Sequence, residues 1–131
     1  MGMGKARVLV VLVGLLTPYL ARVPGGVQWL AQYFHGGWQG ALLLAAAGAV
    51  TWGPILGFSL RYRRPLSLVL PSVLGFGFLA WAHGTLDLTA DAQSALALLL
   101  IPLYSLLPVL IGCIVSLFTD GRRRGASRQA A

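Results

Sequence analysis

Glutamate and asparagine are missing from this chain altogether, aspartate occurs three times and cysteine once. Charged residues of both signs fill only 10% of the 131 positions, against about 25% in a soluble domain. So few charges cannot cover a globular surface, and with 57% of the residues hydrophobic a soluble fold is excluded. The length leaves room for one domain, not for a membrane bundle with a separate soluble enzyme beside it. Cys113, having no second cysteine to pair with, rules out a disulfide framework and a cysteine-based metal site, and reads as a buried structural thiol.

The absences also bear on mechanism. At mid-depth the apolar runs hold no Asp, Glu, Lys, Arg or His; their polar residues are Thr51, Ser72 and Ser105, with Tyr104 and Trp52 nearby. Proton-coupled transporters and pumps place an ionisable group at that depth, which weighs against an active pump. Small multidrug exporters share this size and helix number but need a membrane-embedded Glu in the first helix. Small fluoride channels need an Asn in their pore signature. No nucleophile–base pair, P-loop or cofactor motif occurs either, so the sequence predicts a non-catalytic protein with no cofactor and no bound metal.

What is present is four apolar runs, at 8–21, 40–60, 66–86 and 95–118. At a rise of 1.5 Å per residue the last three reach about 31 to 36 Å, enough for a hydrocarbon core of about 30 Å. The first reaches only about 21 Å, and spans if Lys5, Arg7 and Arg22 extend their charged heads outward and Pro24 ends the helix; half-insertion of this helix is the alternative. The start of the chain resembles a signal peptide, but Tyr19 stands where a cleavage site after Ala21 would want a small residue, which favours a retained anchor. The expected architecture is all-α: one domain at 1–120, an integral membrane bundle of four transmembrane helices. A short interfacial helix lies between the first two, in the aromatic and glutamine-rich segment 22–39, and 121–131 forms a basic, disordered tail.

The net charge of +7 comes from ten basic residues. Most stand at the ends of apolar runs rather than on a polar surface, which excludes a nucleic-acid partner and fits charges that set topology. With both termini in the cytoplasm, nine of the ten fall inside and only Arg22 falls outside. The positive-inside rule therefore puts both termini in the cytoplasm, and the expected location is a bacterial inner membrane, crossed several times. Arg61, Arg63, Arg64, Arg122, Arg123 and Arg124 are the expected contacts to lipid headgroups.

The best-defined pattern is a packing signal. Gly37, Ala41, Ala45, Ala49, Gly53 and Gly57 put a small residue at every fourth position of the second span. Such ridges let helix backbones approach closely, so this helix is expected to be the central packing element. Its partner is another helix of the chain, a second copy or a different membrane protein. Pro18, Pro54, Pro71, Pro102 and Pro108 punctuate the spans, leaving the Leu98 and Tyr104 carbonyls of the last helix in need of other partners.

Polar residues that can carry chemistry gather on the expected outer side: His35 in one loop, and His83, Asp87 and Asp91 spaced four apart around the other. On one helical face they could hold a divalent cation or pass a proton. Set against that, Gly84 argues for a helix end near His83, and Thr89 or Asp87 reads as the N-cap of the fourth helix with Asp91 in its first turn. The stretch Asp87-Leu88-Thr89-Ala90-Asp91-Ala92-Gln93-Ser94-Ala95, running into Ile101-Pro102-Leu103-Tyr104, resembles a segment of small uncharacterised bacterial inner-membrane proteins. That resemblance implies no activity. The sequence thus predicts a small subunit or accessory factor of a larger membrane assembly, in contact with lipids and with other subunits or its own copies. A small oligomeric channel or transporter and an immunity-type membrane protein are the alternatives.

Overall fold

A computed structural model describes the backbone of residues 1–34, 37–90 and 93–129, and their side chains apart from those of Ala95 and 122–129. The elements are α1 (Met3–Leu20), a short α2 (Val27–Ala31), α3 (Gly37–Ser59), α4 (Val69–Thr85) and α5 (Ser94–Gln129), with single 3-10 turns at Val23–Gly25 and Pro65–Leu68. Four segments are long and apolar enough to cross a membrane: Met3–Gly25, Gly37–Ser59, Pro65–Thr85 and Leu96–Gly121. The chain is an all-α multi-pass membrane bundle, and α2 is the short helix expected between the first two spans.

The boundaries differ from expectation in two places. Helix α1 starts five residues before the apolar run, because Arg7 finds a partner within the bundle: its Nε donates to Ser59 Oγ at 2.8 Å and its Nη2 to the Ser59 carbonyl at 3.0 Å. At 18 residues α1 is about 27 Å long. Helix α5 runs on to Gln129, so the backbone is helical through most of the segment expected as a disordered tail.

In the bundle, α1 and α5 each pack against both α3 and α4, and the α4–α5 seam is the most extensive. Two tight crossings make that seam. A Cβ on Gly112 would lie 2.6 Å from Pro71 Cα, and one on Gly75 would lie 2.4 Å from Val109 Cγ2. Around them Ile55, Leu79, Val109 and Cys113 are fully buried. The Thr51 hydroxyl meets Ser105 Oγ at 2.5 Å, and Ser105 donates to the Pro102 carbonyl, so Thr51 is the donor to Ser105. Both hydroxyls are thereby satisfied where no water is at hand, which is what burial in a membrane core demands.

The face that helix α3 turns inward lies beside the small-residue ridge. Its buried stripe is Leu44, Gly48, Thr51, Ile55 and Ser59. The close approach to α1 falls at Gly48, where a Cβ would sit 3.9 Å from the Gly14 carbonyl, with Trp52 packed over Gly14. The expected ridge lies beside this stripe. Ala41, Ala45, Ala49 and Gly53 are half-buried while Gly37 and Gly57 are exposed, and a Cβ on Gly37, Gly53 or Gly57 would meet nothing within 4 Å. Within the chain the central packing elements are α4 and α5, not α3.

Candidate functional site

The end of the bundle where α1 and α4 finish and α3 and α5 begin is closed by the segment after α1. Pro24 stops α1 and forms a 3-10 turn, and Gly26, at φ 86°, reverses the chain into α2. Only a glycine adopts that backbone at low cost. The reversal folds Trp29, Gln32 and Tyr33 back over the bundle end, onto the side chain of Arg22.

Arg22 is the centre of what results. Only 1% of its surface is exposed. Nη1 donates to the Trp29 carbonyl and to Gln32 Oε1, each at 2.8 Å, and Nη2 donates to the Leu86 carbonyl just past the end of α4. That carbonyl lies at the negative end of the α4 dipole, a favourable place for a cation. The guanidinium carbon also lies 3.9 Å from the centroid of the Tyr33 ring and 5.1 Å from that of Trp29. Cation–π attraction is at its strongest when, as here, water is excluded. Arg22 Nε has no partner among the described residues.

The network continues through two branches. Tyr33 Oη lies 2.6 Å from Nδ1 of His83, which is also 1% exposed, and Tyr19 packs edge-on against Tyr33 and stacks on Phe34. Gln32 accepts from the Leu88 backbone N–H and donates from Nε2 to Asp87 Oδ1 at 3.1 Å. Asp87 Oδ1 accepts in addition from the backbone N–H and hydroxyl of Thr89. Those two bonds, followed by Gln32 and the Arg22 charge, hold the Asp87 carboxyl below its ordinary value. Burial pushes the Tyr33 hydroxyl above its ordinary 10.0, with Arg22 opposing the shift in part. The result is a desolvated cation tied by neutral acceptors and aromatic faces to α2, α4 and the loop after α4.

Of the expected polar residues, the structure brings His83 and Asp87 into this one network, by way of Tyr33, Arg22 and Gln32. His35 and Asp91 lie outside the described residues. His83 and Asp87 do not share a helical face, because α4 ends at Thr85. The capping role expected of Asp87 or Thr89 is not taken up: α5 begins only at Ser94, and Asp87 instead closes its own turn on Thr89. Among the described residues no three His, Cys, Asp or Glu groups converge as a metal site would require. Arg22 itself corrects the sequence reading, since its head turns into the bundle instead of outward to water. Its one advance signal was that it alone stood against the charge rule.

The opposite end is polar too. Tyr62 donates to the Cys113 carbonyl at 3.0 Å, and the Arg63 backbone N–H donates to Asp120 Oδ2 at 3.2 Å, so the short loop between α3 and α4 is fastened to α5. Arg61, Arg63 and Arg64 are exposed there. The side chains of Arg122, Arg123 and Arg124 lie outside the described residues. No family model, curated protein or solved structure matches this chain.

Proposed function

We propose that this protein is a small non-catalytic subunit or accessory factor of a larger assembly in a bacterial inner membrane, held with both termini in the cytoplasm and docked through α3. One observation supports this reading above the others. The glycines of the bundle's own crossings, Gly14, Gly75 and Gly112, are each filled by a neighbour, whereas Gly53 and Gly57 on the α3 ridge face open space. A small residue turned toward lipid gains nothing there, because lipid tails are as apolar as any side chain. Against a protein helix it gains close backbone contact. The Arg22 network supports the same reading: it fastens the bundle end by itself, leaving a rigid body to present α3.

Purification in mild detergent tests the proposal. A stoichiometric foreign membrane protein should accompany the chain, and Gly53→Leu should release it while the isolated subunit melts unchanged. A lone symmetric oligomer would favour the channel or transporter reading. A monomer indifferent to Gly53→Leu would end the proposal.

A further inference from the structure

A cleft of about 210 Å³ lies between α1 and the start of α4. Buried Ala6, Val10, Leu68 and Phe76 form its floor, and Leu9 and Val73, each half exposed or more, form its rim. Rim and floor both fall within the apolar spans Met3–Gly25 and Pro65–Thr85. The cleft therefore opens sideways into hydrocarbon rather than into water.

Ser72 is the one polar side chain among the described residues that line it. Its Oγ is buried and has no hydrogen-bond partner among the described residues. The hydroxyls of Thr17, Thr51, Ser59 and Ser105, by contrast, each have an acceptor. A hydroxyl left unpaired away from water costs free energy, so the Ser72 hydroxyl calls for an acceptor from outside the chain. Ser72 lies seven residues inside the start of its span, about 10 Å at helical rise. That is below the phosphate and ester oxygens of a phospholipid, and an acyl chain has no acceptor to offer there.

Size and lining narrow the occupant. A cavity of about 150 Å³ with aliphatic and phenylalanine walls holds a benzene, so this cleft has room for one substituted ring, with Phe76 as an aromatic wall. No charged side chain is among the described lining residues. The cations nearest in sequence are the Met1 amino group, Lys5 and Arg64, all on exposed residues at the inner end, and Arg7, which is bonded to Ser59. We propose that the cleft binds a neutral, membrane-soluble ring with a carbonyl acceptor, a quinone in chemical class. The Ser72 hydroxyl donates to one carbonyl, and the hydrocarbon tail leaves past Leu9 and Val73 into the bilayer. This binding does not involve the α3 ridge and stands whether or not α3 docks a partner.

The test uses the full-length protein in detergent, with decylbenzoquinone, decylbenzene and decanoate as probes and native mass spectrometry counting bound molecules. The quinone should bind about fivefold more tightly than decylbenzene, the worth of one neutral hydrogen bond. In infrared spectra one of its two carbonyl stretches should move to lower frequency on binding, and the other should stay. Ser72→Ala should bind the two neutral probes equally and, having lost only an unpaired hydroxyl, should melt no lower than the parent. Val73→Trp, at the lipid-facing rim, should weaken both. The probe series on the unaltered protein decides the matter even if a variant folds poorly. Equal binding of quinone and decylbenzene would overturn the proposal, as would tighter binding of decanoate or a quinone preference that survives Ser72→Ala.

Discussion

The Arg22 guanidinium lies over the Tyr33 ring, 3.9 Å from carbon to centroid, while the hydroxyl of the same ring reaches His83 at 2.6 Å. One aromatic side chain thus has its face on a cation at the end of α1 and its edge on an imidazole in the last turn of α4. It couples two helices and the loop containing α2.

Arg22→Gln should cost about 3 kcal/mol of stability, because the carbonyls of Trp29 and Leu86 lose a charged donor in a dry setting. Arg22→Lys should recover less than half of this, since an ammonium cannot reach both carbonyls while stacking on Tyr33. Thermal melts in one detergent compare the three proteins. A lysine variant as stable as the parent would show that charge alone matters.

The two roles of Tyr33 separate by substitution. Tyr33→Phe keeps the ring under Arg22 and should cost about 1 kcal/mol for the lost hydrogen bond to His83. Tyr33→Leu removes the π face as well, adding about 2 kcal/mol for a desolvated cation–π contact. If the two variants melt together, the stacking contributes nothing.

Alkaline pH should loosen the fold. Burial raises the hydroxyls of Tyr33 and, more strongly, Tyr62 above 10.0, with the contact to Cys113 reinforcing the shift at Tyr62. Each holds its proton more tightly in the folded chain than in the unfolded one. Their contribution is complete below pH 10 and is lost as the pH rises past 10 toward the folded values. Melting temperature should hold up to about pH 10 and drop above it, and Tyr62→Phe should flatten that drop. An unchanged slope in the variant would assign the effect elsewhere.

The four spans were legible because uninterrupted apolar length leaves little choice in a membrane. The start of α1 was not, since Lys5 and Arg7 read as charges outside the span until Ser59, 52 residues later, is seen to receive Arg7. The α3 ridge was legible as a pattern, and the contact it makes was not. Spacing shows which residues share a face but not which face meets a neighbour, and Gly48, in a neighbouring row, makes the approach to α1. The Arg22 network lay beyond the sequence, because its partners come from three separate elements and most of its acceptors are backbone carbonyls, which no residue type announces.

Gly112→Ala should destabilise by about 1–3 kcal/mol or more, as the new methyl meets the Pro71 backbone, which cannot move aside as a side chain could. Gly53→Ala, opening onto free space, should leave the isolated chain unchanged or slightly stabilised through better helix propensity. Equal losses at both positions would contradict the seam described above.

Orientation can be read with cysteines at two exposed positions, Thr89 and Leu60, at opposite ends of the bundle; native Cys113 is buried. Thr89→Cys should label from outside intact cells, and Leu60→Cys only after permeabilisation. The reverse pattern would invert the charge-based assignment.

The bond from Arg22 to the Leu86 carbonyl spans 64 residues, and this separation sets an order of events during synthesis. At about 5–20 residues per second, the arginine is synthesised roughly 3 to 13 seconds before this acceptor exists. Through that interval only its near neighbours in sequence, the Trp29 carbonyl and Gln32, can receive its hydrogen bonds from within the chain. A chain arrested after α3 therefore has the partners that the segment after α1 supplies, Trp29, Gln32 and Tyr33, but not the one that ties Arg22 to α4.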